Sequence, residues 1–399
     1  MRLPLFVCSS ALVLPMAAGA QSVTEQEFLS GFTAESPALR ALTDGLSRAE
    51  AARKRAGALA NPRVDFWREQ PDANPRVSNW TLSWTPPFDG RYGPAKKGAD
   101  AGIAAAREQL AVDKAGLRRE LRAAFAAWSL ARERRDVLRG QLERVRSLAE
   151  AERHRARVGE GSGLSARRFT LAEAEVHAAA AAVDAAFQAA DALARAWRPD
   201  LAPGAQPAVV TLAEPLDAAD ASTTPQVQAL TFEAEQADLE RKRAGRFLGF
   251  PTLQFGWQQL SENGVVRSGP IFAAGWSIPV FDREQGARFE AEGRRQAALA
   301  RLEVARARVN AEITGGLAAY RTLFTASHEA GRTVEESERV TVAATAAFRA
   351  GEASLTDLLD SLRAALGARL SEIDLREQAT AAHRELESAL GRALVGGGF

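Results

Sequence analysis

The sequence predicts a mainly α-helical chain with a small β part, organised as two tandem repeats of helix, strand, strand, long helix and return helix. Three observations carry this reading. The first is that one plan is stated twice at an offset of about 190 residues. Pro37-Ala-Leu-Arg-Ala-Leu-Thr43 answers Pro225-Gln-Val-Gln-Ala-Leu-Thr231, Arg53-Lys-Arg-Ala-Gly57 answers Arg241-Lys-Arg-Ala-Gly245, and Gly159-Glu-Gly-Ser162 answers Gly351-Glu-Ala-Ser354. The second is a proline-free run after Pro94 in which apolar residues recur at sevens: Ile103, Leu110 and Leu117, then Leu121 and Trp128, then Leu138 and Val145, with Leu142 and Ala149 beside them. Ile313 with Tyr320 and Leu317 with Phe324 repeat the spacing, which winds helices around one another. The third is a pair of short alternating segments in each repeat, the period of a strand with two unlike faces.

Residues 1–20 read as a secretory signal: Arg2 gives a positive start, Leu3 to Met16 an apolar run, and Ala18-Gly-Ala20 a cleavage site. Cys8 lies inside this run and not at the cleavage point, which argues against a lipid-anchored start. With Cys8, Met1 and Met16 removed, the mature chain holds neither cysteine nor methionine. It therefore offers no disulfide, no thiol nucleophile and no soft sulfur ligand.

Residues 21–197 form the expected first repeat. Gln21 to Glu35 is a polar lead-in, and Ser36-Pro37 carries the signature of a helix start. That helix is expected to reach about Ala60 and stop at Asn61-Pro62. Strands follow at about 63–70 and 79–86, around turn chemistry at Asp72 to Ser78. A long helix is expected at 92–158 and a return helix at 164–197. A Pro-, Ala- and Asp-rich connector, 198–224, leads to the second repeat at 225–392. Its strands are expected at about 251–261 and 270–281 around the loop Glu262 to Gly269, its long helix at 284–350 and its return helix at 355–392. Residues 393–399 read as a flexible C-terminus. Trp80, Trp84, Trp257 and Trp276 fall on one face of these strands, as membrane-facing aromatics do in a barrel wall; two ordinary hairpins with one face on a soluble core would show the same pattern.

Composition narrows the function. A net charge of +1 gives no field for nucleic acid, and interleaved Arg and Glu read as solvated helix faces. His154, His177, His328 and His383 form no metal-ligand spacing and read as helix-surface residues. No nucleophile constellation appears, so neither an enzyme nor a cofactor or metal is expected. Gly159-Glu-Gly-Ser-Gly163 lacks the strand and Lys-Ser/Thr of a phosphate loop. Four strands cannot close a barrel alone, and an open edge in lipid leaves backbone groups unpaired. Three chains would supply twelve strands, capping a long helical cylinder.

With the repeat, the strand-to-helix junctions Trp84-Thr-Pro-Pro-Phe-Asp-Gly90 and Trp276-Ser-Ile-Pro-Val-Phe-Asp282, and the hairpin Phe348-Arg-Ala-Gly-Glu-Ala-Ser-Leu-Thr-Asp-Leu-Leu-Asp360, the mature sequence resembles the TolC family of outer-membrane factors. The resemblance implies a homotrimeric outer-membrane channel: a twelve-stranded β-barrel continuing into a long periplasmic α-helical barrel. It implies docking on a periplasmic adaptor and an inner-membrane RND or ABC transporter, with passive conduction to the exterior. Somewhat CzcC-like features point to the metal-efflux branch. A type I protein-secretion channel is the alternative, and a soluble periplasmic scaffold a further one. Asp357 and Asp360 match the family's selectivity gate, and their first-repeat counterparts are Ser165 and Arg168. Arg157-Val158-Gly159 and Arg349-Ala350-Gly351 match its adaptor-docking tips. Where the family's best-known members place a latching arginine, this chain has Ala353, and Arg167 or Arg168 facing Asp357 is the expected substitute.

Overall fold

The computed structural model describes residues 22–32, 36–70, 76–216, 218–246 and 249–393. The signal segment and all but the first residue of the expected C-terminal tail lie outside them. In chain order the elements are β1 (Ser22–Val23), α1 (Glu25–Ser30), α2 (Pro37–Leu42), α3 (Asp44–Gly57), β2 (Arg63–Glu69), β3 (Arg76–Trp84), α4 (Tyr92–Arg157), α5 (Gly163–Trp197), β4 (Gln206–Pro207), a 3-10 turn (Ala221–Thr223), α6 (Pro225–Ala244), β5 (Thr252–Glu262), β6 (Val265–Gly275), α7 (Gln285–Ala350) and α8 (Leu355–Leu390). The chain is mainly helical with one small sheet. Helices α4 and α7 are 66 residues each, about 100 Å of continuous helix apiece.

Two compact units divide the chain. The first comprises residues up to Gly31, Leu121–Leu212 and Ala326–Gln378; the second comprises Phe32–Glu120, Ala213–Thr325 and the residues from Ala379. In the first unit, the sevens of α4 point inward: Leu121, Trp128, Leu138, Val145 and Ala149 are buried. Near the helical hairpins, Val145, Leu148 and Ala149 of α4 pack with Phe169 and Ala172 of α5 and with Leu358, Leu359 and Leu362 of α8. A chain of aromatics, Phe28 to Phe125 at 5.6 Å and Phe125 to Trp128 at 6.3 Å, fastens α1 to α4.

The polar lead-in, to which the sequence assigned no element, carries a short helix. Thr24 accepts from the Glu27 amide at 3.2 Å while the Glu27 carboxylate accepts from the Thr24 amide at 2.8 Å, a capping box that starts α1. The Arg122 guanidinium grips Glu25 through bonds of 2.7 and 3.2 Å, and Arg198 donates to the carbonyls of Glu27 and Phe28 at the helix's other end. The connector is likewise anchored in part. Strand β4 pairs in parallel with β1, and the Ser129 hydroxyl both donates to the Ala208 carbonyl at 2.7 Å and accepts from the Val210 amide at 3.2 Å.

In the second unit, Val227 and Ala234 of α6 pack with Leu302, Val309 and Ile313 of α7 and Leu386 and Leu390 of α8. The first helix, expected as one piece to Ala60, is two: α2 ends at Leu42 and is capped by Thr43, whose amide bonds to the Arg40 carbonyl at 3.2 Å in a tightened turn, before α3 begins. One histidine expected on a helix surface is interior. His383 is 6% exposed, its ring 4.9 Å from that of Tyr320 and its Nδ1 4.0 Å from the Glu387 carboxylate.

The sheet order is β2-β3-β5-β6, antiparallel throughout. Strand β6 begins and ends about five residues earlier than the sequence reading placed it. The reason is the turn. Asn263 and Gly264 both hold positive φ, 46° and 79°, as a two-residue hairpin turn requires, so pairing starts at Glu262 with Val265 and leaves no loop through Gly269. The segment beyond Gly275 carries no ladder: Gly275 pairs with Thr252, the first residue of β5, and Pro251 before it has no amide to donate. Strand β3 likewise starts at Arg76 and not at 79, since its pairing with β5 reaches Ser261.

Candidate functional site

Strand register sorts the sheet into two unlike faces. Direct partners put Val64, Leu82, Phe255 and Phe272 in one row, and Phe66, Trp80, Trp257 and Pro270 in the next. Trp84, Leu253 and Ala274 make a third row at the helix-linked end. Towards the hairpin ends the same face turns polar, through Arg68, Ser78, Gln259 and Ser268. The apolar rows are open: Trp80 is 56%, Trp257 51% and Phe272 77% exposed. An exposed apolar patch of this size on a sheet marks contact with another protein or with lipid. The opposite face carries Asp65, Asn79, Thr81, Ser83, Gln254 and Gln258.

The two hairpins of the sheet are built alike. Phe66 sits 4.5 Å from Trp80 in the first, and Phe255 5.1 Å from Phe272 in the second. The Trp84 indole donates to the Ala60 carbonyl at 2.9 Å, and the Trp276 indole to the Gly249 carbonyl at 2.8 Å, each two residues before the proline that precedes a strand. Trp84 and Trp276 are thus half-tethered at strand ends, while Trp80 and Trp257 lie directly opposite one another in mid-sheet. The strand-to-helix junctions match as well. Asp89 accepts from the Arg91 amide at 2.9 Å and Asp282 from the Glu284 amide at 2.8 Å, and the Arg91 guanidinium reaches the Glu284 carboxylate at 2.7 Å.

The helical hairpins turn by one mechanism. Gly159 and Gly351 hold φ of 80° and 79°. Their amides bond back to Ala156 and Phe348, and the next amides, of Glu160 and Glu352, to Arg155 and Ala347 at 2.9 and 2.8 Å. This double closure ends a helix on a left-handed residue, where glycine is unstrained. Arg157, Val158, Arg349 and Ala350 lead into these turns from exposed helix ends, Val158 being 56% exposed.

The return helices are capped differently. Ser162 alone accepts from the Leu164 amide at 3.2 Å. In the second hairpin, Ser354 accepts from the Asp357 amide at 3.1 Å and the Asp357 carboxylate accepts from the Ser354 amide at 3.2 Å and its hydroxyl at 2.7 Å. Asp357 is therefore a reciprocal cap. Asp360, one turn on, is 67% exposed with Arg363 at 4.0 Å. The expected Arg167 or Arg168 pairing with Asp357 does not form within the chain. Arg168 donates to the Thr356 hydroxyl at 3.3 Å instead, one residue short of the carboxylate.

Ion pairs knit α4 and its neighbours in the first unit. The Arg153 guanidinium, with Arg146 beside it, holds the Glu173 carboxyl below its usual range. Burial pushes the Glu372 carboxyl up, with Arg376 pulling it back and Glu133 adding to the rise. No helix among the described residues is long and apolar enough to cross a membrane, and no cluster of three metal-ligating side chains occurs among them.

Comparison with solved structures finds the same fold in outer-membrane channels. The open MtrE outer membrane channel of Neisseria gonorrhoeae aligns with a TM-score of 0.75 at 15% identity, covering 98% of each chain. The CmeC outer membrane channel of Campylobacter jejuni gives 0.73 at 13%, over 98% of this chain and 93% of that one. The outer membrane protein VceC of Vibrio cholerae gives 0.71 at 16%, over 93% and 96%. No curated protein matches the sequence significantly. Residues 214–392 match the outer membrane efflux protein family model. Residues 214–392 are therefore similar to outer membrane efflux proteins, a family of channels and not of enzymes, and the chain has the fold of solved outer-membrane channels.

Proposed function

We propose that the chain is one protomer of a trimeric exit duct that conducts solutes passively across the outer membrane as part of a tripartite efflux system. The observation that carries this is the sheet: four strands with one exposed aromatic face and, among the described residues, unpaired outer edges on β2 and β6. Each unpaired backbone group left in lipid costs several kcal/mol, so the sheet needs copies of itself to close. Three copies give twelve strands, an even number within the range of outer-membrane barrels. Residues 21–197 and 225–392 would each supply two strands and a helical hairpin to the wall, with 198–224 as an equatorial connector and Trp80, Trp84, Trp257 and Trp276 meeting lipid.

The hairpin turns at Arg157 to Gly159 and Arg349 to Gly351 are the surface we assign to a periplasmic adaptor, which would bridge to an inner-membrane RND or ABC transporter. Asp360, exposed and only loosely paired, together with Asp357 would form rings of negative charge in the trimer. Such rings favour cations and bind divalent ions. Two measurements test the reading. The purified chain should run as a trimer in detergent and give ion currents in planar bilayers. A stable monomer with no current overturns it.

A further inference from the structure

Among the described residues, Trp67 is the one strand tryptophan that the aromatic face does not absorb. Alternation places its neighbour Phe66 against Trp80 on the apolar face, so Trp67 projects from the polar one, opposite Asn79. It is 50% exposed and has no stacked ring and no cation over it among the described residues. The fold does not require it there. Pro62-Arg-Val-Asp-Phe66-Trp67 corresponds to Pro251-Thr-Leu-Gln-Phe255-Gly256, so the second repeat has glycine at this place. A side chain at Gly256 would run into the Trp80 carbonyl at 2.3 Å and the Thr81 methyl at 2.8 Å. At this place the first hairpin holds an indole and the second has no room for one.

The charges around Trp67 have one sign to spare. Residues two apart on a strand share a face, so Asp65 and Glu69 flank the indole. Asp65 is paired with Arg63 at 2.7 Å, whereas Glu69 has no cationic partner among the described residues. An aromatic face with an adjacent unpaired carboxylate attracts cations that carry an apolar body.

We infer that Trp67 and Glu69 form a weak binding station for organic cations on the inner wall of the pore. The inference rests on the channel reading, in which the polar face lines the lumen. Twelve strands spaced about 4.8 Å apart and tilted about 40° enclose a backbone diameter of roughly 24 Å. Three indoles reaching several ångströms inward leave little width for a drug-sized cation to pass without touching one. Weak affinity suits this position, because a conducted solute must also leave.

The test is block of single-channel current by benzyltrimethylammonium, with benzenesulfonate as an anion of similar size. The unsubstituted channel should be blocked more strongly by the cation. Trp67→Leu keeps the apolar bulk without the aromatic face and should weaken cation block roughly two- to fivefold, leaving benzenesulfonate unchanged. Trp67→Phe should retain most of the block, and Glu69→Gln should weaken it for the cation alone. Normal unitary conductance with unaltered cation block in Trp67→Leu overturns the station and leaves the duct standing. Should Trp67→Leu form no channels, unaltered cation block in Glu69→Gln overturns it equally. Absence of any current from the unsubstituted protein overturns both readings.

Discussion

The two helical hairpins share a backbone and differ in their side chains, and the contrast shows what duplication holds fixed. Both turns place glycine near φ of 80° and close through the same pair of backbone bonds. That solution depends on chain geometry alone, so both copies keep it. Beyond the turn they part. Ser165, Arg167 and Arg168 follow a lone serine cap in the first hairpin; at the same places Asp357, Leu359 and Asp360 follow or form a reciprocal one in the second. Where side chains meet solvent or a partner, the copies have diverged in charge.

The strongest test of equivalence is in the sheet. Trp80 and Phe272 occupy matching positions on the apolar face, so Trp80→Arg and Phe272→Arg should each cost about 2–4 kcal/mol of insertion stability, while Thr81→Arg on the polar face should cost far less. Detergent-to-bilayer folding titrations read the difference. Equal tolerance on both faces would break the assignment of the apolar face to lipid.

Next in size are the turns. Gly159→Val and Gly351→Val force a branched residue into left-handed backbone and should each lose about 1–2 kcal/mol, by the same amount in either hairpin. Chemical denaturation followed by circular dichroism measures it, and a loss confined to one hairpin would contradict the shared turn.

Capping should separate the copies. Ser354→Ala removes the hydroxyl that accepts from the Asp357 amide and donates to its carboxylate, while the backbone half of the capping box stays; it should cost about 1 kcal/mol, more than Ser162→Ala. A double-mutant cycle of Ser354→Ala with Asp357→Asn should show clear non-additivity, the mark of a coupled pair.

The smallest effect concerns acid. Glu173 lies between Arg153 and Arg146, and the matching second-repeat positions hold Ala365, Thr345 and Glu338. Because its folded carboxyl titrates below the ordinary glutamate value of 4.5, its stabilisation is present above that value and lost as pH falls through the lower folded one. Hydrogen exchange should therefore show the α4–α5 hairpin loosening in acid before α7–α8. Arg153→Gln should narrow that gap.

Much of this was legible in the residues. The sevens from Leu121 to Ala149 marked the buried stripe of α4, and glycine after Arg157-Val and Arg349-Ala marked the turns, because both signals are local. Asn263-Gly264 was equally local, yet it sits in a polar run that reads as a loop, which displaced β6. The capping box of Thr24 and Glu27 lies in a segment too short to show periodicity. His383 gave no signal at all: its burial depends on Tyr320, more than 60 residues away in sequence. Trp67 stands next to Phe66, and only strand pairing decides which of two adjacent aromatics faces which way.

The Arg91–Glu284 bridge joins residues at corresponding places in the two repeats. In an assembly of six identical half-length subunits, those places would bear the same side chain, and like would confront like. Carried on one chain, the two places hold opposite charges, and the seam gains an attraction that two identical halves could not form with one another.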